Sequence, residues 1–519
     1  MALLGASGLL LPSAAILLAI YTAYLAIYRL FLSPLAKIPG PRWAALTYWY
    51  ECYYDLFLPA QYVFKIKQLH DQYGPIVRIT PDEVSIADPD FFDTIYAPGP
   101  GHKRDKDPEK SKALGFSTSI GATVGHDLHR KRREPLNPFF SHRSIARLAP
   151  KLHDKIQQLE ENLARAAAAG DVVNLSDLYY AFANDIVNEY CFGHSQNLLA
   201  DPPLAHVQRK NVDSVLRGVK FNLHFSWIRD LIHRFPPALS ARFTPPAIRD
   251  MIRFRTGIRR DIDRVLNHAP PPTDKEAHPS TTDTTQQSVF TSLRDSPSLP
   301  DSEKSPQRLE DEATLLVMAG TQSTQLSLTI AHYHLLANPQ LMARLRAELA
   351  TTTTATPLST LEKLPYLTAT MQEAHRLGFG VTGRNPRVAP DENITYTDPQ
   401  TNQVYVLPPG TSTSTSTFLV HANADLFPDP FAFDPDRWLG PAGVARRRYQ
   451  LAFSRGPHIC IGMHLANAEM AVALAAMARW DLRLFETGAE DVAMRHDYHI
   501  LMPRLDSEGV RVRVLGRAG

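Results

Sequence analysis

Cysteine is scarce in this chain: 519 residues contain only three, Cys52, Cys191 and Cys460. The three lie far apart, so the sequence excludes both a disulfide framework and a Cys-x-x-Cys metal knuckle. Such sparse usage is typical of a protein in a reducing compartment.

An excess of charge of either sign is also lacking. Lysine plus arginine is 55 and aspartate plus glutamate is 53, which leaves a net charge of +2. A nearly neutral chain gives no global reason to bind nucleic acid, and we predict no nucleic-acid partner. Any basic surface must be local. The length is sufficient to bury a core, in one large domain or in several small ones.

Charged side chains are absent from Met1 to Tyr28, and Leu9 to Leu32 is almost wholly apolar. A bilayer is spanned by ~20 such residues, which predicts a transmembrane helix. A cleaved signal peptide is the alternative, but no basic residue precedes the stretch, and Arg29 and Lys37 follow it. The positive-inside rule then predicts that the rest of the chain is cytoplasmic.

Two prolines in Lys37-Ile38-Pro39-Gly40-Pro41 cannot continue a helix, so this segment predicts a stiff hinge. We therefore divide the chain into a membrane anchor (residues 1–34), a Pro-rich hinge and lead-in segment (35–60), and one globular domain (61–519).

Helical periodicity dominates the globular part, and we see no internal repeat. The predicted helices are Tyr62–Tyr73, Asp127–Pro135, Pro150–Ala169, Leu175–Phe192, Ala247–Asn267, Leu309–Ala337, Pro339–Leu349, Tyr366–Arg376 and Gly462–Arg479. The predicted strands are Ile76–Ile79, Val84–Ala87, Ile394–Tyr405 and Leu482–Phe485. The expected fold class is mainly α with small β-sheets.

Two segments are low in complexity. Ala269–Arg308 is rich in proline, serine and threonine and lacks apolar periodicity, which predicts a surface connection. A domain boundary is the alternative because the segment is long for an internal loop. Thr411–Thr417 alternates threonine and serine, and its β-branched residues favour a strand over disorder.

Candidate chemistry is concentrated in the last third of the chain. Cys460 ends a loop that contains glycine and proline, just before the helix predicted from Gly462. A helix N-terminus and free backbone N–H groups stabilise a thiolate, which suits a metal ligand or a nucleophile. A buried structural cysteine is the alternative.

The loop resembles the haem-binding loop of the cytochrome P450 family, whose pattern is Phe-x-x-Gly-x-Arg-x-Cys-x-Gly. Phe453, Gly456, Cys460 and Gly462 match, and His458 stands where the family usually has arginine. The resemblance implies that Cys460 binds the iron of haem b as the axial thiolate, and that the other four residues lie against the cofactor.

Further motifs of the family follow the expected order. Glu373-Ala374-His375-Arg376 is similar to its Glu-x-x-Arg helix, and Arg437 lies in the segment that completes a buried triad. The resemblance implies a structural role for Glu373, Arg376 and Arg437. An ordinary surface ion pair is the alternative for a glutamate and an arginine three residues apart.

The segment Ala319-Gly320-Thr321-Gln322-Ser323-Thr324 resembles the distal helix of the family. There an acid and an alcohol relay protons, and here Gln322 replaces the acid and Ser323 the usual threonine. We expect Ser323, Thr324 and Gln322 to form the catalytic group. Close helix packing is the alternative explanation for the glycine, which costs about 1 kcal/mol relative to alanine within a helix.

Basic residues complete the implied cofactor site. His129 and Arg133, at i and i+4 of a helix, resemble residues that contact haem propionates, and Arg387 would supply another contact. A solvated basic face is the alternative and is favoured for Arg130, Lys131 and Arg132. These three residues, with Arg446–Arg448, predict a basic patch that attracts an acidic electron donor.

The resemblance extends from the anchor to the C-terminus and is similar to fungal members that serve secondary metabolism. It implies a P450-like helical fold, with 61–519 as the haem-thiolate catalytic domain, anchored by a single pass in the endoplasmic reticulum membrane and facing the cytosol. The implied reaction is a monooxygenation that uses dioxygen and electrons from NADPH through NADPH-cytochrome P450 reductase. Cytochrome b5 is a further candidate donor. A thiolate ligand favours O–O cleavage.

Three other functions remain open. A haem-thiolate isomerase, dehydratase or peroxide-using enzyme needs no proton relay, which the departures at Gln322 and Ser323 keep under consideration. A haem carrier or sensor without catalysis is the second, and a membrane scaffold without haem is the third. The substrate is expected to be hydrophobic, a terpenoid or a polyketide intermediate. The segments expected to line its site are 98–124, 217–243 and 315–319, together with Val381, Thr382 and Ile500.

Overall fold

We describe the fold from a computed structural model, which covers residues 2–228, 246–267 and 288–518. The chain divides into two compact units. The first unit comprises Met1–Asp107 and Arg384–Ser416, and the second comprises Pro108–Gly383 and Thr417–Gly519. Residues 229–243 of the predicted substrate-lining segments and 269–287 of the low-complexity connection lie outside the described residues.

Helices account for most of the regular structure. In chain order they are α1 (Ala2–Ile27), α2 (Arg42–Leu46), α3 (Trp49–Cys52), α4 (Tyr62–Tyr73), α5 (Phe92–Tyr96), α6 (Pro108–Ala113), α7 (His126–Arg133), α8 (His142–Ala146), α9 (Ala149–Ala169), α10 (Leu175–Phe192), α11 (Pro202–His224), α12 (Pro246–Leu266), α13 (Val289–Asp295), α14 (Pro306–Ala337), α15 (Pro339–Leu349), α16 (Leu358–Leu361), α17 (Pro365–Gly378), α18 (Thr417–His421), α19 (Gly440–Arg446) and α20 (Met463–Met477). The nine predicted helices are confirmed, with shifted ends in six of them.

The strands are short. They are β1 (Ile76–Arg78), β2 (Glu83–Ile86), β3 (Asp105–Lys106), β4 (Val172–Asn174), β5 (Arg387–Val388), β6 (Ile394–Thr397), β7 (Val404–Leu407), β8 (Ser412–Ser414), β9 (Trp480–Leu484), β10 (His496–Tyr498), β11 (Ile500–Met502) and β12 (Arg511–Arg517). All four predicted strand regions are confirmed, and Ile394–Tyr405 contains a hairpin of two strands. The strand predicted within Thr411–Thr417 is β8.

The first unit is built around a five-stranded sheet in the order β1-β2-β8-β5-β3. The β2–β8 pairing is parallel and the others are antiparallel. The hairpin β6–β7 forms a second sheet, in which the burial of side chains alternates along each strand. This alternation is what a sheet with one solvated face requires.

The N-terminal helix of the first unit continues in a π-helical turn from Tyr28 to Leu32. Within it, Ser13–Leu32 is long and apolar enough to cross a membrane, with a mean hydropathy of 1.9 and none of the span buried. Length and composition thus agree with the predicted anchor.

The second unit is built around α14, which has 32 residues and packs against α10, α12, α17 and α20. Pro306 begins this helix, a position where the missing N–H costs nothing. Asn174 caps the start of α10, where its side chain accepts the N–H of Ser176 at 3.0 Å, and Gly193 with φ of 82° caps its end. These signals fix the ends of the two helices that form the core.

Two small sheets complete the second unit, β4-β12-β9 and β10-β11. The elements of this unit that were not predicted include the helices α11 and α13 and the strand β12. Helix α13 lies within Ala269–Arg308 and buries Val289, Phe290 and Leu293, so the prediction of a surface connection is wrong for that part. Ser288 begins α13 by accepting the N–H of Thr291, and Phe290 is fully buried against Phe192. A capped turn with a buried aromatic residue is sufficient for a short helix there.

Candidate active site

The loop before α20 is closed by a backbone hydrogen bond, in which the N–H of Cys460 donates to the carbonyl of Phe453 at 2.8 Å. Two residues between them, Ser454 and Gly456, have φ of 56° and 66°. This left-handed region strains a serine and suits a glycine, so Gly456 is required by the backbone conformation. The loop therefore presents Cys460 directly at the start of α20.

Cys460 is exposed, whereas Cys52 and Cys191 are buried. Desolvation by the surrounding protein raises the pKa of the Cys460 thiol, and the backbone N–H groups of Gly462 and Met463, together with the Arg133 guanidinium, act in the opposite direction. The sulfur therefore lies at the surface of the second unit, close to these three groups. A Cβ added at Gly462 would lie 4.0 Å from Sγ, an ordinary van der Waals distance, so the approach of the sulfur to the helix N-terminus does not require a glycine there.

Histidine and arginine side chains from α7 contact the same loop. The rings of His129 and His458 are 4.0 Å apart between centroids. Arg133 donates from Nη1 to the carbonyl of Ile459 at 2.5 Å, and from Nε to Asn137. The structure thus brings three of the predicted cofactor-binding residues, His129, Arg133 and His458, around the residues next to Cys460.

Helix α14, which is buried over most of its length, carries an exposed strip near its middle. Ala319 and Ser323, one turn apart, are exposed, and Gly320 beside them is partly exposed. The hydroxyl of Ser323 donates to the carbonyl of Ala319 at 2.7 Å. A Cβ at Gly320 would approach Val187 Cγ2 to 3.0 Å, so close packing against α10 accounts for this glycine.

The neighbours of Ser323 point elsewhere. Gln322 is buried and donates from its amide nitrogen to Asp213 Oδ1 of α11 at 3.0 Å. Thr324 is buried on another side, where its hydroxyl is close enough to Glu469 of α20 to favour the charged form of that carboxyl group. The three residues predicted to form one catalytic group therefore contact different parts of the second unit.

Glu373, Arg376 and Arg437 form a buried ionic network. Arg376 Nη2 and Nε lie 2.7 and 2.8 Å from the two carboxylate oxygens of Glu373, and Arg437 Nε lies 3.3 Å from Glu373 Oε1. Trp438 Nε1 also donates to Glu373, and Arg376 donates to three backbone carbonyls, those of His421, Pro430 and Ala432. Side chains that satisfy one another in this way hold a fold together and leave little capacity for a substrate.

The Cytochrome P450 family model matches residues 47–503. The chain belongs to the cytochrome P450 family. It is 39% identical to the cytochrome P450 monooxygenase tpcC of Cochliobolus heterostrophus, over 95% of each chain. It is 37% identical to the conidiogenone synthase PchP450 of Penicillium rubens, covering 94% of this chain and 96% of the relative. Among solved structures, a retinoic acid-bound cyanobacterial CYP120A1 matches with a TM-score of 0.66 and 18% identity, covering 87% and 94% of the two chains.

The cytochrome P450 fold predicted from the sequence motifs is thus confirmed, and the protein is a haem-thiolate monooxygenase similar to fungal enzymes of secondary metabolism. The residues of the second unit fit that cofactor. They provide one exposed sulfur with amide N–H groups directed at it, an arginine and two histidines around its loop, and an exposed strip on α14.

Arg387 belongs to the first unit of this cytochrome P450. It is buried on β5, where its guanidinium stacks 5.1 Å from the centroid of Tyr96 and donates to the backbone and side chain of Asn385. Desolvation lowers its pKa to about 10. Its predicted contact with a haem propionate stays a prediction.

Fewer residues contribute to the basic patch in the structure than the sequence predicts. Arg132 pairs with Glu303 at 3.0 Å, and Arg446 donates to the carbonyls of Leu426 and Arg437. Four of its six residues are exposed, Arg130, Lys131, Arg447 and Arg448.

Sequence reasoning missed polar side chains that surround the site. His375, inside the Glu-x-x-Arg motif, lies 3.1 Å from Asn467 Oδ1 and 3.4 Å from Ser327 Oγ, and its ring packs edge-on against Phe453. Burial lowers its pKa to about 4, so the ring is neutral at physiological pH. Ser323 and Ser327 lie one helical turn apart, and this spacing could have predicted that Ser327 lies near the site. Asp213 and Glu469 had none, because their partners come from distant helices.

Proposed function

We propose that this protein is a membrane-anchored monooxygenase that oxidises a hydrophobic terpenoid or polyketide intermediate, with dioxygen and electrons from NADPH delivered by NADPH-cytochrome P450 reductase. Cytochrome b5 is a further candidate donor. The catalytic part would face the cytosol from the endoplasmic reticulum membrane. The exposed Cys460 at the N-terminus of α20 is the observation that carries the proposal.

Residues of the second unit would bind the cofactor. Cys460 Sγ would hold the haem iron as a thiolate, and the N–H groups of Gly462 and Met463 would stabilise its negative charge. His129, Arg133 and His458 would hold the acidic edge of the cofactor. The bound haem supplies the activation of dioxygen and the oxidation of a substrate C–H bond.

Proton delivery falls to the exposed strip of α14. Ser323 Oγ is the hydroxyl on that strip. It would donate a proton toward the bound dioxygen and then accept another proton, and the neighbouring Thr324 hydroxyl would assist it. Gln322, bonded to Asp213, fixes the orientation of this turn against α11 and has no carboxyl proton to give. Apolar residues near the strip, such as Leu315 and Ala319, would contact the substrate.

The test of ligation is spectroscopic. Reduced full-length protein under carbon monoxide should show the Soret band characteristic of a thiolate ligand. Cys460→Ser should lose this band, and Cys191→Ser, a control at a buried cysteine, should keep it. A histidine-type spectrum in folded parent protein would contradict the assignment of Cys460.

The test of the reaction uses the full-length enzyme with reductase and NADPH. Candidate terpenoid and polyketide intermediates are incubated with it, and products are identified by mass. A gain of one oxygen atom that requires both NADPH and reductase supports the proposal. A rearranged or dehydrated product formed without NADPH would instead identify a haem-thiolate isomerase or dehydratase.

A further inference from the structure

An asparagine is buried in the core of the second unit, on the helix α10 that packs against α14. Asn184 is 1% exposed, and Asn188, one turn later, is fully buried. The amide nitrogen of Asn184 donates to Thr321 Oγ1 of α14 at 3.2 Å, and its amide oxygen accepts from Asn188 Nδ2 at 2.9 Å. Both halves of the Asn184 amide are therefore bonded, as a buried polar group requires.

Thr321 lies inside the distal motif, directly before Gln322 and two residues before Ser323. Gln322 is held by a second helix, through its hydrogen bond to Asp213 of α11. Successive side chains on a helix point about 100° apart, so these two bonds hold the same turn of α14 from two directions. The next side chain along the helix, that of Ser323, is exposed. The bonds to α10 and α11 thus determine where Ser323 points.

Stability alone does not account for the bond between Asn184 and Thr321. Replacing both partners of a buried hydrogen bond by apolar groups of the same shape can be nearly neutral for the free energy of folding. An apolar contact cannot supply direction, whereas a hydrogen bond has a preferred geometry. A serine hydroxyl lies about 4 Å from the axis of its helix, so a rotation of α14 by about 15° would move Ser323 Oγ by about 1 Å. The bond to Thr321 restrains that rotation.

We propose that Asn184 is a positioning residue for proton delivery, because its bond to Thr321 fixes the direction in which Ser323 points. This inference rests on the proposed function, in which the Ser323 hydroxyl donates the proton. Asn184 acts only through α14. It holds Thr321, Thr321 sets the rotation of the turn, and Ser323 moves with that turn.

The direction of Ser323 is tested by infrared spectroscopy of the reduced carbon monoxide complex of full-length protein, which needs no turnover. The C–O stretching band responds to a hydroxyl near the ligand, so Ser323→Ala provides the reference shift. Asn184→Leu should shift the band of the parent in the same direction, and it should add nothing in the Ser323→Ala background. An equal shift in both backgrounds, or no shift in either, would overturn the proposal.

Two variants of Thr321 make the test independent of the folding of Asn184→Leu. Thr321→Val removes the same hydrogen bond from the side of α14 and should reproduce the shift. Thr321→Ser keeps the hydroxyl and should retain the band of the parent. The reverse pattern, with the band retained in Thr321→Val and shifted in Thr321→Ser, would contradict the role of this bond.

Tyr179→Phe is the matched control, because it removes a hydrogen bond between the same two helices. The Tyr179 hydroxyl of α10 lies 2.7 Å from Nδ1 of His332, about three turns after Thr321 on α14. This change should lower the urea midpoint of unfolding about as much as Asn184→Leu, but it should leave the C–O band in place. A shift as large as that of Asn184→Leu would mean that any loosening of the two helices has the same effect, and the proposal would fail.

Turnover is tested with 7-ethoxycoumarin as a hydrophobic probe, in full-length haem-loaded enzyme with reductase. With NADPH and dioxygen, Asn184→Leu should lower product per NADPH by about 10- to 100-fold and divert electrons to hydrogen peroxide, because a misplacement of about 1 Å can cost about 100-fold. Thr321→Ser and Tyr179→Phe should couple like the parent. With iodosylbenzene, an oxygen-atom donor that needs no proton, Asn184→Leu should match the parent. An equal loss with both oxidants would assign Asn184 a structural role and refute the proposal.

The outcomes separate the two levels of inference. If Ser323→Ala changes neither the C–O band nor product per NADPH, Ser323 does not deliver protons, and the proposed function loses its relay together with this inference. If the parent oxidises the probe with iodosylbenzene but not with NADPH, reductase and dioxygen, both also fail. If Ser323→Ala changes the band and the coupling while Asn184→Leu changes neither, only the role of Asn184 is refuted.

Discussion

A buried ion pair between α11 and β10 should contribute strongly to the stability of the second unit. Lys220 Nζ lies 3.2 Å from Asp497 Oδ2, and the two side chains are only 10% and 3% exposed. Asp497 Oδ1 also accepts the hydroxyl of Thr382 at 2.7 Å and the N–H of His499 at 3.2 Å. The pair thus joins α11 to the β10–β11 hairpin beside Thr382 and Ile500, two residues predicted to line the substrate site.

The expected cost follows from this geometry. Asp497→Asn keeps the shape and can still accept from Thr382 and His499, but it leaves the Lys220 ammonium without this carboxylate. Removing one partner of a buried pair costs about 3–5 kcal/mol of unfolding free energy, and we expect about 3 because two hydrogen bonds survive. Lys220→Met should cost a similar amount. The double variant should lie within about 1 kcal/mol of the parent, since a neutral buried pair needs no compensation.

The assay is a double-mutant cycle from urea unfolding of the full-length protein in detergent, followed by circular dichroism. The control is the exposed pair Lys67–Asp71, at 3.0 Å with side chains 43% and 62% exposed. Its removal should change the unfolding free energy by about 0.3–0.5 kcal/mol. A coupling energy between Lys220 and Asp497 no larger than that of the control would refute the reasoning.

Two further predictions concern titration and topology. Burial lowers the pKa of His332, whose Nδ1 lies 2.7 Å from the Tyr179 hydroxyl, from 6.5 to about 3. The unfolded chain binds this proton at a higher pH than the folded chain. The free energy of unfolding should therefore rise with pH up to about 6.5 and then level off. His332→Gln should reduce the slope of unfolding free energy against pH, near pH 5, by about 1.4 kcal/mol per pH unit. The exposed Asn393, in the sequon Asn393-Ile394-Thr395, should carry no glycan in a eukaryotic host, whereas replacing residues 1–34 by a cleaved signal peptide should make it endoglycosidase-sensitive.

The helices were largely predictable because their signals are local. Leu175–Phe192 lies between an asparagine cap and a left-handed glycine, and its predicted ends agree with the structure. Helix α11 was missed although Asp201 caps it and two prolines begin it. Its buried face includes Arg209 and Lys220, so the apolar stripe is interrupted by charges whose partners come from elsewhere in the second unit.

The missed strand β12 illustrates a different failure. Its residues alternate between valine and arginine, and Val512 and Val514 are buried while Arg513 is exposed. This period of two was a readable strand signal. The partners of β12 could not be predicted in the same way. It pairs with β4, more than 300 residues earlier in the chain, and with β9, and no local pattern specifies the register of such pairs.

The distal motif shows most clearly where reasoning from sequence ends. Gln322, Ser323 and Thr324 were treated as one catalytic group because they are adjacent and match a motif. Each step along a helix turns the side chain by about 100°, so three successive residues point in different directions. Gln322 is directed toward α11, Ser323 toward the exposed strip and Thr324 toward α20. Adjacent positions in a sequence motif therefore did not reveal that the three side chains meet different surfaces of the second unit.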